Sequence, residues 1–76
     1  GLIMYQLPII IEKDEFGYYA YCPPLEGCHS QGESMEETKA NIKEAISLYL
    51  STLSDSEKQD ILSRELTTTM MEVEVA

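Results

Sequence analysis

Apolar and polar positions alternate along Tyr5-Gln6-Leu7-Pro8-Ile9-Ile10-Ile11, which sets Tyr5, Leu7, Ile9 and Ile11 on one face of a first strand turned toward a core. Pro8 lacks an N–H for a ladder, so regular pairing is expected mainly from Ile9 onward. The polar run from Glu12 to Gly17 reads as a hairpin loop. Beyond it Tyr18, Ala20 and Cys22 alternate with Tyr19 and Tyr21, the pattern of a second strand. Pro23-Pro24 ends that strand and Gly27 frees the backbone to turn. Cys28-His29-Ser30-Gln31 then gives a short returning strand, and Gly32 at its exit tolerates a positive φ.

Helical spacing takes over after Ser34. Ser34 and Glu37 have the S-x-x-E spacing of a capping box, and Met35, Thr38, Ile42, Ala45, Ile46, Tyr49 and Leu53 form one stripe of a helix reaching about Thr52. Leu48 and Leu50 fall outside the stripe, as the margin of a wide core face or of a contact with another chain. Ser54 and Glu57 repeat the cap spacing, which predicts a second helix with Ile61, Leu62 and Leu66 on its apolar edge. Met71, Val73 and Val75 alternate with Glu72 and Glu74, which predicts a last strand over Met70–Val75. The order β-β-β-α-(α)-β makes an α+β layer with helices on one sheet face. The last strand follows a helical crossover and is expected parallel to the first, beside it.

With 76 residues the chain makes one small domain, 1–76, whose modest core makes a dimer or higher homo-oligomer a sensible expectation. Charge is the unusual feature. Fourteen acidic residues against five basic ones give a net −9, which repels nucleic acid and anionic membranes and speeds encounter with a basic partner. The same acidity also serves plain solubility. No apolar run has the length of a membrane span, and Gly1-Leu2-Ile3-Met4 lacks the basic start and long apolar segment of a signal peptide, so a cytoplasmic protein is expected. Met4 is an alternative start to Gly1, which leaves open whether Gly1 to Ile3 are native.

Candidate chemistry is sparse. Cys22 and Cys28 flank the Pro-Pro-Leu-Glu-Gly turn at a spacing that fits neither a C-x-x-C redox pair nor half a zinc ribbon. On adjacent strands they could approach disulfide distance, yet small buried apolar side chains are the simpler reading in a reducing compartment. His29 is the sole histidine and lacks the ligand set of a structural zinc site. The acids lie mostly on loops and helix exteriors rather than in a pair with shifted pKa values, and no G-x-S-x-G, P-loop or H-E-x-x-H is present. Neither an enzyme nor a cofactor is expected. Tyr18, Tyr19 and Tyr21 could stack bases, but under a charge of −9 packing and interface roles fit them better.

Glu12 to Pro23, Leu25-Glu26-Gly27-Cys28, Ser30-Gln31-Gly32-Glu33-Ser34 with Glu36-Glu37, and Asn41-Ile42-Lys43-Glu44-Ala45-Ile46 together resemble the HicB antitoxin family. Its pattern runs E-x-D-x-x-G-Y-x-A-x-x-P-x-L-P-G-C-x-(S/T)-Q-G-(D/E)-(S/T)-x-E-E-A, then N-I-x-E-A-I. Glu26 stands where the family usually has proline, and Thr38 where it usually has alanine. The resemblance implies a partly degraded ribonuclease-H-like sheet without nuclease function. It implies binding to HicA, a small basic toxin that cleaves mRNA. Members generally carry a C-terminal DNA-binding domain as well; here the sequence stops after the last predicted strand, so no direct contact with nucleic acid is expected of this chain. The contacts expected first are Asp14, Glu15, Glu26 and Glu33, although the motif assigns no interface to them individually. The alternative is a stand-alone structural or ligand-binding homo-oligomer of the same fold with no toxin partner.

Overall fold

A computed structural model describes residues 4–76 of the chain. Whether Gly1 to Ile3 are native lies outside the described residues. Three strands, β1 (Ile10–Asp14), β2 (Gly17–Tyr21) and β3 (His29–Gly32), precede two helices, α1 (Met35–Ser51) and α2 (Asp55–Leu62). The strands form an antiparallel meander in the order β1-β2-β3. Among the described residues no helix is long and apolar enough to cross a membrane.

The β1–β2 hairpin is tighter than its polar sequence suggests, because β1 stays paired through Asp14. Only Glu15 and Phe16 form the turn. Asp14 Oδ1 accepts the Phe16 N–H at 2.8 Å, the local side-chain bond that makes aspartate a turn residue. Gly17 adopts φ +137°, and a Cβ there would lie 2.9 Å from the Gly32 carbonyl oxygen. The Cys22–Cys28 loop is closed by bonds from Cys22 N–H to Cys28 O, from Leu25 N–H to Cys22 O and from Cys28 N–H to Leu25 O. Gly27 supplies the positive φ, +78°, that the turn needs.

Gly32 serves another purpose than the one expected of it. Its φ is not positive; instead a Cβ there would meet Thr38 Oγ1 at 2.7 Å and Thr38 N at 2.9 Å. The missing side chain lets the first turn of α1 lie against the end of β3. Thr38 is fully buried at this contact and donates its hydroxyl to Ser34 O at 2.7 Å, so no buried polar atom is left unpaired there. Ser34 caps α1 by accepting the Glu37 N–H, and Ser54 and Glu57 form the reciprocal capping box of α2.

The core gathers where α1 crosses the sheet. Ala20, Cys22, Leu25, Cys28 and Ile42 are buried, with Leu7, Ile11, Ala45, Ile46, Tyr49, Leu50 and Ile61 packed around them. The predicted stripe of α1 therefore holds from Thr38 to Tyr49. Leu50 joins its margin, whereas Leu48 is 64% exposed. Met35 and Ile9 are also partly open to solvent, at 41% and 40% exposure. Ile9 departs from the expected inward set because pairing begins only at Ile10, after the break at Pro8.

The expected last strand is corrected by the structure. Met70–Val75 forms no ladder, within this chain, with β1 or any other strand. Alternation specifies an extended segment but supplies no partner, and an unpaired strand gains neither ladder bonds nor burial. The α+β class and the order β-β-β-α-α stand; the sixth element is a strand in sequence only.

Candidate interaction face

Strand alternation divides the sheet into two unlike faces. Ile11, Ala20 and Ser30 align across the three strands, as do Tyr18 and Gly32, and α1 packs on this side through Thr38 and Ile42. The opposite parity carries Ile10, Tyr21 and His29 in one row and Glu12, Tyr19 and Gln31 in the next. That second face has no helix over it. Tyr19 stacks against His29 with ring centroids 5.7 Å apart and meets Tyr21 at 5.9 Å. Such pairs hold aromatic rings in fixed positions at a surface, which lowers the entropy lost when a partner arrives.

Two shallow concavities adjoin on this face, sharing Glu12 and Tyr19. One takes in Asp14, Phe16, Gln31 and Glu33 and wraps round the sheet end to Tyr18, Gly32 and the α1 residue Glu37 on the helix side. The other runs through Tyr21, Leu25, Glu26 and His29. Of the carboxylates singled out from sequence, Asp14 and Glu33 thus line one hollow and Glu26 the other, while Glu15, in the hairpin turn, lines neither. All four are exposed. Sequence reasoning missed Glu12, which lies on the open face, and Glu37, which reaches one hollow from α1. Only the register shows Glu12 on the same face as Tyr19, because the polar run from Glu12 reads as loop in the sequence. It also missed Phe16, which stands 87% exposed at the hairpin tip.

The basic residues sit elsewhere. Lys13 lies on the helix side of the sheet, its ammonium 5.4 Å from the Tyr18 ring centroid. Lys39 and Lys43 belong to α1, Lys58 to α2, and Arg64 pairs with Asp60 at 3.2 Å. No Lys or Arg lines either hollow, and Lys13, between Glu12 and Asp14 in β1, turns its ammonium to the Tyr18 ring on the other side of the sheet.

The cysteines stay with the core. Cys22 and Cys28 are free, buried thiols, and burial pushes both above the ordinary thiol value, with the neighbouring Cys28 adding to the effect at Cys22. A raised pKa disfavours the thiolate, the form that attacks electrophiles and binds metals. Among the described residues no group of three or more His, Cys, Asp or Glu side chains is placed to hold a metal ion. His29 instead contributes its ring to the aromatic row.

Comparison with known proteins places the chain in a family. Residues 7–76 match the family model described as the HicB_like antitoxin of bacterial toxin-antitoxin systems. A UPF0150 protein of Helicobacter pylori is 60% identical over 48 residues, covering 63% of this chain and 67% of the relative. A UPF0150 protein of Synechocystis is 49% identical over 51 residues, covering 66% and 65%, and one of Archaeoglobus fulgidus is 56% identical over 43 residues, covering 55% and 62%. The matched stretch thus spans about two thirds of the length of these relatives. No solved structure matches the chain. With nearly the whole chain inside the family match, and with its motif residues building the hairpin, the turn and the capped helix just described, the protein belongs to the HicB-like antitoxin family.

Proposed function

We propose that this chain neutralises a small, basic, mRNA-cleaving toxin of the HicA type by laying its open sheet face over the surface that the toxin uses to hold RNA. The observation that carries this reading is the composition of that face. Glu12, Asp14, Glu26 and Glu33 lie around a row of Tyr19, Tyr21 and His29, and no Lys or Arg lines the two hollows they share. Carboxylates arrayed in this way offer a basic groove negative charge where phosphates would lie. The exposed rings and Phe16 supply apolar contact at the centre and tip, where binding energy usually concentrates. Antitoxin action of this kind needs no chemistry from the chain itself.

The test is co-expression with a basic reading frame adjacent to this gene, scored by growth. The wild-type chain is expected to restore growth and to form a complex whose affinity falls as salt rises. Charge reversal at Glu12→Lys with Glu33→Lys is expected to abolish rescue and weaken the complex by a factor of ten or more, with helix content unchanged. Rescue and affinity that survive both reversals would sink this reading of the face.

A further inference from the structure

The hollow between the open sheet face and the Cys22–Cys28 loop joins three kinds of group. Cys22, Leu25 and Cys28 line it as buried apolar side chains, Tyr19, Tyr21 and His29 supply rings, and Glu12 and Glu26 supply exposed carboxylates. Strand register gathers most of this set, since Glu12 lies opposite Tyr19 and Tyr21 lies opposite His29. Glu26 comes from the loop, whose path is held by the backbone bonds among Cys22, Leu25 and Cys28 and by the positive φ of Gly27. The set is therefore assembled before any partner arrives.

Nothing within the chain answers these groups. On the opposite side of the sheet Tyr18 already holds a cation, with Lys13 Nζ 5.4 Å from its ring centroid. Among the described residues Tyr19, Tyr21 and His29 have no such cation, and the one ion pair, Arg64 with Asp60, leaves Glu12 and Glu26 unpaired. The rings also have a particular arrangement. His29 is inclined to Tyr19 by 29° at 5.7 Å, and Tyr21 by 38° at 5.9 Å. Rings inclined so little form a stack, which a further flat group extends; a round ammonium is held instead by rings that enclose it as a cage.

We infer that this hollow receives an arginine side chain of the partner protein, its guanidinium laid on the Tyr19–His29 stack and flanked by the carboxylates of Glu12 and Glu26. The identity of the partner rests on the toxin reading above; the chemistry of the group rests on the hollow itself. A guanidinium is flat, weakly hydrated and always charged, so it can stack on a ring and donate two parallel bonds to a carboxylate at once. Lysine carries the same charge as a compact, strongly hydrated point and can do neither. A nucleobase is flat as well, but its phosphate would meet the two carboxylates. Surfaces that hold phosphates are rich in arginine for the same reasons of shape, so a partner that grips RNA offers the group this hollow fits.

N-acetylarginine amide and N-acetyllysine amide carry equal charge, so titrating each into the full chain at low salt separates stacking from charge. The ring-proton resonances of Tyr19 and His29 report the binding. Arginine amide is expected to shift both saturably, with a Kd about threefold or more below that of lysine amide. Tyr19→Leu is expected to erase this preference, with helical circular dichroism checking that the variant folds. Glu26→Gln, at an exposed loop position, is a second variant and is expected to weaken arginine amide by about twofold or more. Equal affinity for the two amides, no binding of either, or a preference indifferent to both variants overturns the inference. The growth test stands apart from this one. Equal binding of the amides, with rescue still lost on Glu12→Lys with Glu33→Lys, overturns the arginine site and leaves the toxin reading intact. An arginine preference in a chain that rescues no adjacent toxin supports the site and sinks that reading.

Discussion

Asn41 reaches from the second turn of α1 to the backbone of β3, where its side-chain amide donates to the Gln31 carbonyl at 2.8 Å. One bond thereby ties the helix to the sheet and occupies an acceptor that would otherwise face a free edge. Asn41→Ala is expected to lower unfolding free energy by about 1 kcal/mol, the usual net value of such a bond. Urea denaturation followed by helical signal measures it, and an unchanged midpoint would show that water replaces the amide without loss.

Gly32→Ala should cost more, about 1–3 kcal/mol, because the added methyl has no room. A Cβ would sit 2.7 Å from Thr38 Oγ1 and 2.9 Å from Thr38 N. The two clashes can be separated. Thr38→Ala removes the first but not the second, so the double variant should recover only part of the stability lost by Gly32→Ala. Full recovery in thermal denaturation would mean that the helix backbone moves more easily than its packing implies.

α2 rests on its cap more than on burial, since none of its residues is fully buried. Ser54→Ala removes the acceptor for Glu57 N–H and is expected to weaken this helix by about 1 kcal/mol. The bonds from Ser54 also hold the Glu57 carboxyl below its ordinary pKa. A depressed carboxyl contributes stability that is present above its unfolded value, near 4.3, and lost as pH falls through the lower folded value. Amide exchange in α2 should therefore quicken on acidification below about pH 4.3, and the Ser54→Ala chain should show less of this dependence.

The buried thiols give the opposite sign at the alkaline end. Their pKa values are raised in the fold, so their contribution is complete below the unfolded value, about 8.5, and is lost as pH rises through the raised values. The urea midpoint should fall between pH 8 and pH 10 more steeply for the natural chain than for a Cys22→Ala, Cys28→Ala variant. Alkylation at pH 8 should be slow in the fold and fast in urea. Equal alkaline slopes for the two chains would show that the thiols do not share in the loss.

Local signals made most of this fold legible. Ser34 and Ser54 marked both helix starts, Gly27 marked the turn, and the stripe from Thr38 to Tyr49 marked the buried face of α1. What escaped were the consequences of long-range contact. Gly32 looked like a turn residue because its real constraint, the approach of Thr38, belongs to the tertiary structure. Ile9 looked buried because strand parity says nothing about where pairing begins. Of the face, the tyrosine alternation was visible, but which side α1 would cover was not. The acidic candidates were accordingly chosen by loop position, and Glu12, which lies within a strand, was passed over.

The free segment after α2 has a further consequence, for how long the chain lasts. Extended, exposed backbone is the preferred substrate of proteases, and α2 beside it opens more readily than the core. Cleavage should therefore begin beyond Leu62 and spare the sheet and α1. Whatever covers Met70–Val75 should slow that cleavage, so the rate of limited proteolysis reports whether this segment is engaged.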